Sequence, residues 1–407
     1  MNDSQSTAII SSTSWQYHFV KMSKDNLLQY KSFRRSIKAL LLFLGLWPME
    51  NPNFAYNILP YFQLLQLILL GLALLGFVKV HLTNVALVTR SAGIMVSYVT
   101  CALKMICMIY HRDHTRQIHK ILDPHFKKLL NEPQMNNMVL GGIAAFRRLA
   151  LAILLFSTFS AVACVFAPLI YVIYQHVHKV GNIKYILPYA AVYPWSISPN
   201  GLLYKLHYLF EFSATVTLVT ITGCVDPLYT LYVFQMIAQL REMSYRLTHP
   251  VSEDTYKSVI RDCVKQYSIL LECRDKLQMI YGPMILWMMA TNAVMICAGL
   301  FQISQMKNIA VGQMMLFLMY VSAKMTQTFL CGWTGSKLTA ESEAYRQAIF
   351  EAHWIGSRPR MTSILIMLGQ KPLLLTACSF SVISVQMFVA VLNTSFSYFF
   401  LLQTLNN

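Results

Sequence analysis

The sequence predicts an all-α membrane protein with seven transmembrane helices, and three observations carry that prediction. Seven long apolar stretches, at 58–78, 85–110, 149–174, 206–236, 280–303, 309–333 and 373–402, each reach the roughly 20 residues a helix needs to cross about 30 Å of hydrocarbon. Hydrophobic residues fill 56% of the 407 positions and charged residues only 12%, more apolar surface than a water-soluble domain of this length could hide. The basic residues also fall on one side. Segments 1–57, 111–148, 237–279 and 334–372 hold 25 of the 33 Lys and Arg residues, whereas the opposite loops hold Lys79, Lys179, Lys184, Lys205 and Lys307. The positive-inside rule then places the N-terminus in the cytoplasm and the C-terminus outside. The net charge of +16 follows from basic loops beside anionic membrane lipids, and no nucleic-acid partner is expected.

The whole chain, 1–407, is expected to form a single membrane domain. Residues 1–57 make a cytoplasmic segment in which 34–47, RRSIKALLLFLGLW, joins a basic start to an apolar run too short to span; an interfacial helix is expected there. The start of the chain has no apolar core behind a basic end, so no cleavable signal is expected and the first span directs insertion. Segments 111–148 and 237–279 alternate charges with apolar residues at helical spacing, as at Tyr245, Tyr256, Ile260, Val264 and Leu270. They are read as cytoplasmic extensions of the spans. Segment 334–372 is a further cytoplasmic helix, broken at Lys371-Pro372 before a pore-lining helix over 373–402. None of the nine cysteines lies in an outer loop, so neither an outer disulfide nor a zinc site is expected. The sequons at Asn2 and Asn393 fall in the cytoplasm and within a helix, where glycosylation does not reach. Gly-rich phosphate loops, His-Glu-x-x-His runs, nucleophile elbows and carboxylate clusters are all missing, which argues against an enzyme and against any cofactor or metal.

Five ionisable residues lie within the apolar stretches: Arg90, Lys104, Glu211, Asp226 and Lys324. Charges there are costly and call for partners. Depth along the spans suggests Arg90 with Glu211 near the outer ends and Asp226 with Lys324 nearer the inner ends. Lys104 is read as close enough to the cytoplasm to snorkel alone.

Two stripes are candidates for function. In the outer halves of the spans, Ile94, Met95 and Tyr98, then Ser160, Cys164 and Ala167, offer an apolar wall with small gaps. Phe210, Ser213, Ala214 and Thr217, with Phe317 and Tyr320, add aromatics and weak polar groups, a lining suited to a small volatile molecule. Ordinary core packing is the competing explanation for each. The second stripe runs along the last span, which carries no charge. Ser379, Gln386, Asn393, Ser397 and Thr404 fall within about 40° of one another on a helix, either as a water-facing pore wall or as a hydrogen-bonded seam between helices.

Several short segments are similar to those of the insect odorant receptors: Leu44-Gly45-Leu46-Trp47-Pro48; Asp226; Cys263 through Leu271, with Gln266 or Tyr267 where a His is common; and above all a C-terminal block. The block comprises Tyr345, Trp354, Lys371-Pro372-Leu373, Thr376-Ala377, Phe388, Val391-Leu392 and Ser397-Tyr398-Phe399. The resemblance implies a seven-helix receptor with a cytoplasmic N-terminus that binds a small volatile odorant. It further implies a ligand-gated, non-selective cation channel formed as a heterotetramer with a shared co-receptor in the plasma membrane of a sensory dendrite. The last helix would line the pore, with Leu401 and Leu405 at the positions of its hydrophobic gate. Gustatory receptors, the sister family, end in T-Y-x5-Q-F; here Ser397 replaces the Thr and Gln403 comes one residue early, which favours the odorant branch. A G-protein-coupled receptor would want an acidic-Arg-Tyr triplet after its third helix, an Asn-Pro-x-x-Tyr motif in its seventh and the opposite charge bias, and a transporter would want inverted repeats.

Overall fold

The computed structural model describes the backbone of residues 3–81, 85–179, 183–195, 201–249, 253–305, 311–352, 358–370 and 372–406. Within these it leaves aside the side chains of 3–23, 85–90, 133–134, 253–256, 302, 305, 311–313, 316–317, 358–360, 363 and 405–406. The fold is α-helical, as expected. In chain order the helices are α1 (Asp3–Leu44), α2 (Phe54–Val80), α3 (Val85–Tyr110), α4 (Arg112–Leu130), α5 (Pro133–Val139), α6 (Ile143–Val177), α7 (Leu202–Thr248), α8 (Glu253–Gln305), α9 (Val311–Glu351), α10 (Arg358–Leu368) and α11 (Val385–Asn406). Among the described residues α2, α3, α6, α7, α8 and α11 are long and apolar enough to cross a membrane. The seventh span is α9, which packs along α6, α7 and α8.

α7 is the axis of the bundle. Every residue from Gly223 to Leu240 is buried, and α1 to α6, α8 and α9 all touch this helix. A helix apolar on all sides must be surrounded in this way. At 47, 53 and 41 residues, α7, α8 and α9 run on well past a bilayer, roughly 60 to 80 Å at about 1.5 Å per residue. The helical extensions expected over 237–279, and the first part of 334–372, are therefore continuous with the spans, whereas 111–148 forms the separate helices α4 and α5 before α6 begins. Polar contacts tie them together. Glu242 of α7 meets Arg246 at 3.0 Å, His125 of α4 at 3.0 Å and Gln266 of α8 at 2.9 Å, while Arg241 pairs with Glu341 of α9.

The N-terminal segment departs from expectation. Residues 34–44 are the end of one 42-residue helix, α1, rather than a separate short one. Tyr30, Phe33, Ile37, Leu41 and Leu44 recur every three or four residues and are all buried. Arg34 clamps Asp123 of α4 with two hydrogen bonds of 2.9 Å, and Lys127 joins at 2.8 Å. Burial alone would raise the Asp123 carboxyl, but the hydrogen bonds from Lys127 and Arg34 outweigh it and leave the pKa lowered. Gly45 ends α1 at φ +72°, where a Cβ would sit 2.8 Å from the Tyr56 carbonyl oxygen.

The end of the chain brings a second correction. The apolar run over 373–402 is not one helix. Residues 373–384 are extended and fold into a hairpin of β1 (Thr376–Ala377) and β2 (Ser381–Val382), with Thr376 opposite Val382. Cys378 and Ser379 form its turn in the left-handed region, at φ 51° and 58°. The segment stays unwound because neighbouring side chains satisfy its backbone. Ser342 accepts from Leu373 N at 2.8 Å, Ser336 accepts from Val385 N at 2.9 Å, and Gln278 donates to the Leu374 carbonyl at 3.2 Å. Helix begins only at Val385, so Ser379 sits on a hairpin turn and not on the helical stripe expected for it.

Candidate functional site

A cavity of about 100 Å³ opens inside the bundle between α3, α6, α7 and α9. Each helix gives it one face. Ile94, Ser97, Tyr98 and Cys101 line it from α3; Ser157, Ser160, Ala161 and Cys164 from α6; Thr215, Leu218 and Thr222 from α7; and Tyr320, Ala323, Lys324 and Gln327 from α9. The spacing of three and four residues is the one that keeps side chains on one side of a helix. Tyr189, from the segment before α7, also faces the cavity.

Most hydroxyls on this wall are already engaged. Thr215 receives Tyr189 at 2.8 Å and Tyr98 at 3.3 Å and itself donates to the Glu211 carbonyl at 2.7 Å. Thr222 donates to the Leu218 carbonyl at 3.0 Å, and Tyr320 to the Gly93 carbonyl at 3.3 Å. A guest therefore meets a mainly apolar surface with a few fixed polar points, the usual constitution of a small-molecule site. In size the space, about 100 Å³, is below the roughly 150 Å³ engineered cavity that takes benzene, so as it stands it suits a molecule no larger than one small ring.

Tyr189 is held in place by Glu211, a carboxylate buried to 0% exposure. Glu211 accepts from the Tyr189 backbone N at 3.0 Å and from the Tyr193 hydroxyl at 2.8 Å, and Val192 N reaches the Ala73 carbonyl of α2 at 3.1 Å. The segment before α7 is thus folded back onto the bundle. The Arg90 side chain, expected to partner Glu211, lies outside the described residues.

The inner pair is also different from expectation. Lys104, not Lys324, binds Asp226, with Nζ 2.7 Å from both carboxylate oxygens and both side chains buried; Gln327 donates to the same carboxylate. Side chains on a helix lean toward its N-terminal end. Lys104 therefore points back along α3 into the bundle and does not snorkel outward. Lys324 leans toward Tyr320, one turn earlier, and its Nζ lies 5.6 Å from that ring's centre.

Of the twelve residues proposed from sequence for a pocket, Ile94, Tyr98, Ser160, Cys164 and Tyr320 stand on the cavity wall. Met95 packs partly buried against the core, and Ala167 is exposed. Phe210, Ser213, Ala214 and Thr217 share a face of α7, but that face is turned elsewhere: Ser213 donates to Gln66 of α2 at 3.4 Å, and Gln66 donates to the Phe210 carbonyl at 3.1 Å. The Phe317 side chain is outside the described residues. Sequence reasoning passed over Ser97, Ser157, Thr215 and Thr222, and it did not connect Lys324 with the cavity; a scan of each span for small and hydroxyl residues at helical spacing would have raised them.

The last helix, α11, packs on α8 and α9 through Met387, Val391 and Ser395, whose hydroxyl donates to the Ala293 carbonyl at 3.0 Å. Gln386, Asn393, Ser397 and Thr404 are exposed on this chain, as is Leu401. The Leu405 side chain is outside the described residues.

The profile of the 7tm Odorant receptor family matches residues 84–396. This chain belongs to the odorant receptor family. It is 25% identical over 238 residues to Odorant receptor 13a of Drosophila melanogaster, covering 53% of this chain and 57% of that protein. To Odorant receptor Or2 of Anopheles gambiae it is 24% identical over 189 residues, 44% of this chain and 50% of that one. The chain thus matches about half the length of these curated relatives. Its fold is similar to that of the insect olfactory receptor OR5 of Machilis hrabei, solved in complex with eugenol, with a TM-score of 0.75 over 94% of this chain and all of the other at 12% identity. At that identity the likeness is one of fold.

Proposed function

We propose that this odorant-receptor chain binds a small volatile molecule in the cavity between α3, α6, α7 and α9 and gates a non-selective cation channel. In this proposal the channel is a heterotetramer with a shared co-receptor in the plasma membrane of a sensory dendrite, the N-terminus is cytoplasmic and the C-terminus lies outside. The observation that carries the ligand half is the cavity itself, walled by one face from each of four spans, mainly apolar with a few polar points. Family membership and the excess of basic residues in the segments assigned to the cytoplasm support the rest.

The channel half draws on α11. A span with an uncharged polar stripe exposed on the single chain needs either water or another subunit beside it, and a pore supplies both. Expressed alone, in cells lacking any co-receptor, the chain is expected to give little or no odorant-evoked current; with the co-receptor, recording across a panel of volatiles is expected to find currents. Robust evoked current from the chain alone would sink the heteromeric reading.

A separate prediction concerns the stripe. Cysteines introduced at Gln386, Asn393 and Ser397 should react with hydrophilic thiol reagents in the open channel, whereas one at Ser395 should stay protected. Reactivity that ignores the helical period of about 100° per residue would leave the stripe as a packing seam.

A further inference from the structure

We infer that the cavity selects ligands bearing an oxygen acceptor, a carboxylate above a neutral carbonyl, and that Lys324 is the residue that recognises it. The inference rests on the reading of this cavity as the ligand site. Two ammonium groups reach its wall, Lys104 and Lys324. Lys104 is neutralised in place by both oxygens of Asp226, and Gln327 is committed to the same carboxylate. The Lys324 carbonyl accepts from Thr328, but the ammonium has neither a hydrogen bond nor an acidic partner among the described residues. Its recorded neighbour is the Tyr320 ring, with Nζ 5.6 Å from the centre, and a ring face compensates a cation only in part.

The surrounding groups sharpen the preference. Ser157 and Ser160 also face the cavity and have no hydrogen-bond partner among the described residues. The strongest acceptors nearby are occupied: the Asp226 oxygens by Lys104 and Gln327, and the Thr215 hydroxyl by Tyr98 and Tyr189. The serine hydroxyls can donate or accept, but the Lys324 ammonium can only donate, and it carries a full charge in a low-dielectric span. A ligand that offers an oxygen acceptor completes this set, and a carboxylate also cancels the charge. A hydrocarbon of the same shape leaves Lys324 desolvated without a partner. The apolar remainder of the ligand fills the space beside Ile94, Leu218 and Ala323, limited by a volume of about 100 Å³.

The test uses the full chain with its co-receptor and a matched series on one small carbon skeleton: the carboxylic acid, the aldehyde, the alcohol and the hydrocarbon. Acid and aldehyde are expected to open the channel at lower concentration than the hydrocarbon, by roughly ten- to hundredfold for the acid, the size of a charge-assisted hydrogen bond. Lys324→Met should erase that advantage, raising the acid's threshold and lowering the hydrocarbon's because no stranded charge then remains, while Lys324→Arg should keep the acid preferred. A hydrocarbon as potent as the acid on the unaltered receptor overturns the inference without any variant, so a variant that fails to reach the surface does not shield it. Lys324→Met scaling all four responses equally overturns it too. Ala161→Phe, which fills the cavity, separates the two levels: responses that survive it at normal surface density refute the cavity as the ligand site. Responses lost with it, alongside an order that Lys324→Met does not change, refute only the acceptor selectivity.

Discussion

Asp226→Asn is expected to remove most of the protein from the cell surface, because it strands the Lys104 ammonium in the core of the bundle. Lys104 is 1% exposed, and both of its strong contacts, at 2.7 Å, are to the carboxylate that the substitution neutralises. Removing one partner of a buried ion pair costs about 3–5 kcal/mol, since the remaining charge has neither water nor counter-ion. That is a large part of the roughly 5–15 kcal/mol that holds a typical domain folded. Lys104→Met should be comparably harmful, leaving the carboxylate with Gln327 alone. The double variant Lys104→Met/Asp226→Asn should recover a good part of the loss, since an apolar side chain beside a neutral amide removes both stranded charges. Surface biotinylation and thermal unfolding in detergent give the four corners of the cycle. Strict additivity would show that the two do not interact. Pairing Asp226→Asn with Lys324→Met instead should rescue nothing.

The fold was legible in the sequence where physics is coarse. Apolar length and composition are enough to identify spans, and helical spacing of apolar residues identified the extensions of α7 and α8. What depends on local competition was harder. The run over 373–402 is apolar throughout, and composition gave no sign that 373–384 would be held extended by Ser342, Ser336 and Gln278, residues on other helices. The pairing of Asp226 was misjudged for a related reason. Depth counted along a span ignores the backward lean of helical side chains, which turns Lys104 inward and Lys324 toward Tyr320.

The candidate site was legible by helix but not by face. On α7 the set 210, 213, 214 and 217 has the right spacing, yet the wall is made by 215, 218 and 222. A slip of one residue turns a helix by about 100°, enough to move a residue from the cavity to the contact with Gln66. Tyr189 could not have been found by periodicity, because it arrives on a non-helical segment whose position depends on Glu211, 22 residues further along the chain.

The other large effect is expected at Gly335 on α9. A Cβ there would lie 2.1 Å from the Ile383 carbonyl oxygen and 2.9 Å from its carbon, and one at Gly332 would lie 2.5 Å from the Ser384 oxygen. Both obstacles are backbone, so Gly335→Ala can be accommodated only by pushing residues 383–384 away from α9. That displacement would break the contact of Ser336 with Val385 N at 2.9 Å, which fixes where α11 starts. Forcing extra atoms into a packed core costs about 1–3 kcal/mol, occasionally more; a clash with the Ile383 carbonyl, which cannot swing aside as a side chain could, puts this substitution at the upper end. Gly71 on α2 is the control. Outside its own stretch of helix, no atom of the described residues lies within 4 Å of a Cβ built there, and alanine is the better helix former by about 1 kcal/mol, so Gly71→Ala should leave thermal stability unchanged or raise it. Gly335→Ala should lower it sharply and, under the proposed function, depress evoked current per receptor at the surface, because α11 would enter the pore displaced from its seat on α8 and α9. If both alanine variants melted alike and conducted alike, the glycines of α9 would not be what seats the last helix.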